Sequence, residues 1–147
     1  IECDENLLPT GKILSVTDSD LDFHIPKKIT SSLHSKLFGI DQTGGFSLAY
    51  VLNTNATALH KAAELSEEKS GRLVSIYTNQ PSLQVYTGYF MDGSDIGKYG
   101  IPYEKSAGIA LEPQGYPDAL SHPEFPSIFI GPDTTFHHYT EYHFELL

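Results

Sequence analysis

Leu73-Val-Ser-Ile-Tyr-Thr-Asn-Gln-Pro-Ser-Leu-Gln-Val-Tyr-Thr87 is the stretch whose reading decides the fold. Residues 73–78 alternate apolar and polar, Pro81 interrupts, and residues 83–87 resume the same alternation. A period of two in β-branched and aromatic residues is how strands are written, so two strands joined by Asn79-Gln80-Pro81-Ser82 are predicted. On the second, Gln84 and Tyr86 share one face while Leu83 and Val85 share the other.

Working outward, Phe46-Ser-Leu-Ala-Tyr-Val-Leu52 reads as a buried strand, and residues 12–16 as a short one after the Pro9 and Gly11 turn. Residues 56–69 have the best helical composition of the chain, yet Ala58 to Leu65 also alternates enough for a strand. Residues 26–37 allow at most one or two helical turns. Downstream, residues 88–105 carry repeated turn signals, Asp92-Gly93, Gly97-Lys98-Tyr99-Gly100 and Pro102. Residues 136–147, aromatic and alternating, form a last strand.

Between them lies Gly108-Ile-Ala-Leu-Glu-Pro-Gln-Gly-Tyr-Pro-Asp-Ala119. Pro113 removes a backbone donor, so Glu112 is expected where a strand ends and a loop begins, a place where polar residues are disproportionately functional. Gln84, if Leu83 and Val85 face the core, looks out on the other side, where its amide offers donor and acceptor to a sugar hydroxyl. The plainer reading of each is a solvated strand residue.

Other motifs carry less. Asp18, Asp20 and Asp22 lack the Gly and terminal Glu of a hand-type calcium loop. Gly39-Ile-Asp-Gln-Thr-Gly-Gly45 lacks the Lys-Ser/Thr of a phosphate loop. His137 and His138 are adjacent and would point to opposite faces of a strand, so with His143 they read as edge or surface residues and no metal site is expected.

Composition narrows the partners. Hydrophobic residues make up 39% of the 147, with nine Tyr and eight Phe, enough to fill a core. The net charge of −10, from 19 acidic and 9 basic side chains, argues against nucleic acid or an anionic membrane surface and favours a neutral small ligand. No apolar run approaches the roughly 18 to 20 residues of a membrane span. A single cysteine, Cys3, excludes an internal disulfide and favours a reducing, cytoplasmic compartment, while the sequon Asn55-Ala-Thr57 leaves secretion open. The chain opens Ile-Glu-Cys with no initiator Met, as a segment of a longer polypeptide would.

The order of elements is specific. Tyr77-Thr-Asn-Gln-Pro-Ser-Leu-Gln-Val-Tyr-Thr-Gly-Tyr-Phe-Met-Asp-Gly93, then Gly97-Lys98, the 108–119 stretch, Phe125-Pro-Ser127 and His138-Tyr-Thr-Glu-Tyr-His-Phe144 closely resemble the C-terminal half of the aldose 1-epimerases, the galactose mutarotases. Leu8-Pro-Thr-Gly11 and Asp22-Phe23 resemble that family's preceding segment.

The resemblance implies an all-β chain, part of a large antiparallel β-sandwich of the galactose mutarotase-like supersandwich type. Residues 1–147 would be the C-terminal portion of one such domain, completed by an N-terminal part or companion chain. It also implies interconversion of the α and β anomers of a free aldohexose such as galactose or glucose, with no cofactor. Glu112 falls on the family's catalytic base, Gln84 on a sugar-binding glutamine and Asp41 on a sugar-binding aspartate. The family has Asp-His directly before its strand, whereas Asp41 is followed by Gln42-Thr43-Gly44-Gly45; a slip in alignment puts Ser47 in that place. The family's acid histidine lies in the N-terminal half, and no histidine here matches it. Two alternatives stay open: a non-catalytic carbohydrate-binding β-sandwich module, and the mutarotase tail of a bifunctional sugar epimerase.

Overall fold

A computed structural model of the chain describes residues 1–35, 44–53 and 58–147, so Asp41 and Asn55 lie outside the described residues. Six strands are assigned: β1 (Ser47–Val51), β2 (His60–Glu67), β3 (Arg72–Thr78), β4 (Ser82–Tyr86), β5 (Ala110–Gln114) and β6 (Thr140–Leu146). They form two three-stranded sheets, ordered β1-β4-β5 and β2-β3-β6. The chain falls into two compact units, Ile1–Ala49 with Gln84–Glu112, and Tyr50–Leu83 with Pro113–Leu147.

The second unit contains the β2-β3-β6 sheet. β3 pairs antiparallel with both neighbours, aligning Leu65, Val74 and Phe144 in one row and Ala63, Ile76 and Tyr142 in the next. Side chains of such a row lie on one face, and the next row of that face is two residues along, so this face is apolar. Ile76, at its centre, is 1% exposed. A register shift between Lys61 and Ala63 makes room for the extra residue of a bulge. The turn from β2 to β3 is built by Glu67, whose carboxylate accepts from the Lys69 and Ser70 amides at 2.9 and 2.7 Å, and by Gly71 at φ +67°. β6 is the outer strand of this sheet, and its apolar side chains remain uncovered, Phe144 80% and Leu146 76% exposed.

In the first unit the buried apolar residues include Leu21, Phe46, Leu48 and Tyr89. Phe46 and Thr87 clamp the start of β1 to the end of β4: the Thr87 amide donates to the Phe46 carbonyl and the Phe46 amide to Thr87 Oγ1, both at 2.9 Å. Gly45 is required beside this clamp, because a Cβ there would lie 2.5 Å from the Tyr89 Cβ. Residues 88–108 leave β4 and return to β5 as a long hairpin. It is held by the Gly93 amide donating to the Tyr103 carbonyl, 2.9 Å, and the Gly97 amide donating to that of Ile101, 2.8 Å.

Three expectations change. Residues 12–16 join neither sheet; Ile13 is 54% exposed, and the Lys12 carbonyl instead accepts from the Glu2 amide at 2.9 Å, closing a loop. The helix-or-strand ambiguity of residues 56–69 resolves as β2, since pairing along β3 outweighs a helical composition with few capping signals. Glu112 is not at a strand end: β5 runs through Pro113 to Gln114. Among the described residues β5 is an outer strand of its sheet, and on such a side of the backbone a proline displaces no ladder donor. Residues 29–31 form one turn of 3-10 helix, as the limited helical reading of that region anticipates.

Candidate active site

The three strands of the β1-β4-β5 sheet bring the candidate residues together, with Gln84 on the central strand. The pairing of β4 with β5 is fixed at two points. Near one end the Ser82 hydroxyl donates to the carbonyls of Gln114 and Gly115, at 2.8 and 3.1 Å. Beyond the other end Gly88 lies so close to Gly108 that a Cβ would come within 2.8 Å of its carbonyl oxygen. Rising numbers on β4 thus meet falling numbers on β5, so the strands are antiparallel. Two residues in from Ser82 is Gln84; two residues back from Gln114 is Glu112. The two side chains therefore stand opposite one another on one face.

Their exposure fits that placement. Leu83 is 3% exposed, whereas Gln84 beside it is half-buried; Pro113 is buried, whereas Glu112 beside it is exposed. Among the described residues no hydrogen bond or ion pair engages the Glu112 carboxylate, so its lone pairs are open to a ligand's proton. On the other flank of β4, Gln84 Nε2 donates to Ser47 Oγ at 2.7 Å. The site thus has a carboxylate, an oriented amide and a hydroxyl on three neighbouring strands. This is a set of acceptors and donors suited to a neutral polyhydroxylated molecule. Tyr86, on the Gln84 face, is held by its hydroxyl, which accepts from the Phe90 amide at 3.1 Å.

Asp41 lies outside the described residues. Ser47 could be weighed from sequence only as a stand-in for that aspartate; its contact with Gln84 was not legible, because it depends on the β1–β4 register. The alternation of Ser47 and Ala49 was the available signal, and it gives a face without giving a partner. Three histidines of the described residues lie against carboxylates. His24 Nδ1 pairs with Asp22 at 2.6 Å and His143 Nε2 with Glu141 at 2.9 Å. His122 lies between Asp118 and Glu124, at 3.8 and 3.3 Å. The hydrogen bonds from the His24 ring and backbone hold the Asp22 carboxyl below its ordinary range. No group of three or more metal-ligating side chains occurs among the described residues, and no helix there is long and apolar enough to cross a membrane.

Comparison with known proteins converges on one family. The family model described as aldose 1-epimerase matches residues 1–143. The galactose mutarotase of Rattus norvegicus is 37% identical over 145 residues, and that of Homo sapiens 34% identical over 143; each match covers 97% of this chain and 40% of the relative. The aldose 1-epimerase of Escherichia coli K12 is 31% identical over 145 residues, covering 96% of this chain and 41% of that protein. Among solved structures, the GalM/aldose epimerase homologue from C. elegans superposes with a TM-score of 0.82 at 29% identity, over 100% of this chain and 43% of the other. The chain spans about 40% of the length of the curated relatives it matches.

Proposed function

The chain belongs to the aldose 1-epimerase family, and from that premise we propose that it carries the base side of a mutarotase active site, interconverting the α and β anomers of a free aldohexose such as galactose or glucose. The observation that carries the reading is the placement of Gln84 opposite Glu112 on one face of a sheet, with the carboxylate unengaged among the described residues.

In this reading Glu112 takes the proton of the anomeric hydroxyl. As the O1–H electrons form the carbonyl, the bond from C1 to the ring oxygen breaks, and an acid protonates that oxygen. Rotation about C1–C2 turns the other face of the aldehyde to the hydroxyl. Reclosure reverses both transfers, so no atom is gained or lost and no cofactor is consumed. Gln84 holds a sugar hydroxyl, with Asp41 as a further sugar contact. The acid is assigned to a histidine in the part of the family's domain lying outside these 147 residues, for which residues 1–147 are the C-terminal portion. The outer edge of β6 and the exposed Phe144 and Leu146 support a completing segment there. The one cysteine suits a cytoplasmic setting.

Polarimetry on freshly dissolved α-galactose and α-glucose tests the reading in the natural full-length polypeptide. Glu112→Gln keeps the shape and removes the base, so kcat should fall by about 10²- to 10⁴-fold with KM little changed. Mutarotation at the parent rate in the variant would sink the assignment. Sugar binding without mutarotation in the parent would support a carbohydrate-binding module instead.

A further inference from the structure

Gln84 faces a chemical problem that the sheet creates. Its neighbour on β5 is a carboxylate, which when ionised only accepts hydrogen bonds. A glutamine amide free to turn would donate an N–H to it. Such a charge-assisted bond is roughly twice as strong as a neutral one, and it stabilises the charged form of the acid, making a weaker base. A base across from an unrestrained amide is therefore blunted by its own neighbour.

The structure turns the amide the other way. β4 lies between β1 and β5, and Gln84 Nε2 donates to Ser47 Oγ on β1 at 2.7 Å. The two strands pair antiparallel, as the Thr87 amide on the Phe46 carbonyl, 2.9 Å, and the Leu52 amide on the Pro81 carbonyl, 3.0 Å, require. That register sets Ala49 opposite Gln84 and leaves Ser47 on the same face, one diagonal step away, within reach of a long side chain. Ala49 adds only a methyl group, so it leaves the amide a path across to Ser47. With one N–H held on the β1 side, the orientation of the amide is no longer set by Glu112.

We propose that Ser47 is a positioning residue that fixes the hydrogen-bonding direction of Gln84, keeping its amide off Glu112 and presenting it in one orientation to a sugar hydroxyl. The proposal rests on the mutarotase reading for its catalytic consequence, while the contact itself does not. Ser47 acts through Gln84 and needs no contact with substrate.

The test compares the parent full-length protein with Ser47→Ala and Ser47→Thr. Ser47→Ala should raise KM for α-galactose roughly two- to tenfold, the loss of one hydrogen bond's orienting effect. It should also move the acid limb of the kcat/KM pH profile to lower pH, because the released amide donates to the carboxylate and lowers its proton affinity. Ser47→Thr retains the hydroxyl and should restore both. A merely structural role for Ser47 would leave the acid limb in place. A second readout is independent of turnover: the side-chain NH₂ resonances of Gln84, assigned by their loss in Gln84→Glu, should be displaced from free-amide values in the parent and in Ser47→Thr, and return towards them in Ser47→Ala. Unchanged resonances and an unmoved acid limb in Ser47→Ala would overturn the proposal. A parent without mutarotation would instead overturn the proposed function, and the resonances would then decide Ser47 alone.

Discussion

A cross-strand disulfide puts the central geometry to a direct test. Gln84→Cys with Glu112→Cys, in a Cys3→Ser background that removes the one native thiol, replaces the facing pair by two thiols. Directly opposed residues of antiparallel strands have Cα atoms about 4.5 or about 5.5 Å apart, depending on which kind of pair they form. Both values fall inside the roughly 4.4 to 6.8 Å that a disulfide spans. Oxidation should therefore close a loop of about 28 residues, and chain entropy sets a ceiling near 3.5 kcal/mol on the stabilisation. For a chain of this size that corresponds to a rise of about 10 °C in Tm, reversed by reductant. The comparison is Gln84→Cys with Leu111→Cys, one residue away, whose side chains should lie on opposite faces. Non-reducing electrophoresis and intact mass read the cross-link, and melting with and without reductant reads its worth. If the 84/111 pair closes and the 84/112 pair does not, the register is off by one. Glu112 and Gln84 would then be on different faces and could not serve one ligand.

Two further outcomes follow from packing and burial. Ile76→Ala, at a side chain 1% exposed in the central strand of its sheet, should cost about 2 to 5 kcal/mol in denaturant unfolding; a loss under 1 kcal/mol would mean the apolar face of that sheet is not a packed core. Burial pushes the Tyr50 phenol well above its ordinary value. The folded chain therefore holds a proton that the unfolded chain releases above about pH 10, so stability should fall as pH rises through that point. A phenolate absorbance titration should show Tyr50 ionising above the ordinary tyrosine range, and nine tyrosines titrating together near the ordinary value would contradict this.

The all-β class was legible because alternation survives in short segments such as residues 73–78, and a strand needs only a sided surface. Alternation also put Gln84 on the face away from Leu83. It could not say what Gln84 meets, because register is set by contacts distant in sequence, here Ser82 with Gln114 and Gly88 with Gly108. Local signals misled in two instructive ways. Pro113 looked like a strand end because a lost donor is costly in a central strand, and it costs little in β5, an outer strand among the described residues. Residues 12–16 had the composition of a strand but not a neighbour to pair with in either sheet. The contact of Ser47 with Gln84 was hidden for a related reason: a serine on a strand is ordinary until the residue diagonal to it is known.

The close approach of Gly88 to Gly108 has a consequence for engineering. It acts as a pinch that closes the neck of the hairpin, with Gly88 at φ +68°, a backbone that other residues adopt only under strain. Below the neck, the two strands must keep step for Gln84 and Glu112 to meet. Above it, the backbone reaches a tip at Tyr99, 95% exposed and turned at φ +64°. Length changes at that tip have no leverage on the strands. An epitope tag or a reporter peptide spliced in at Tyr99 should leave the facing pair undisturbed, whereas a single side chain added at Gly88 would not.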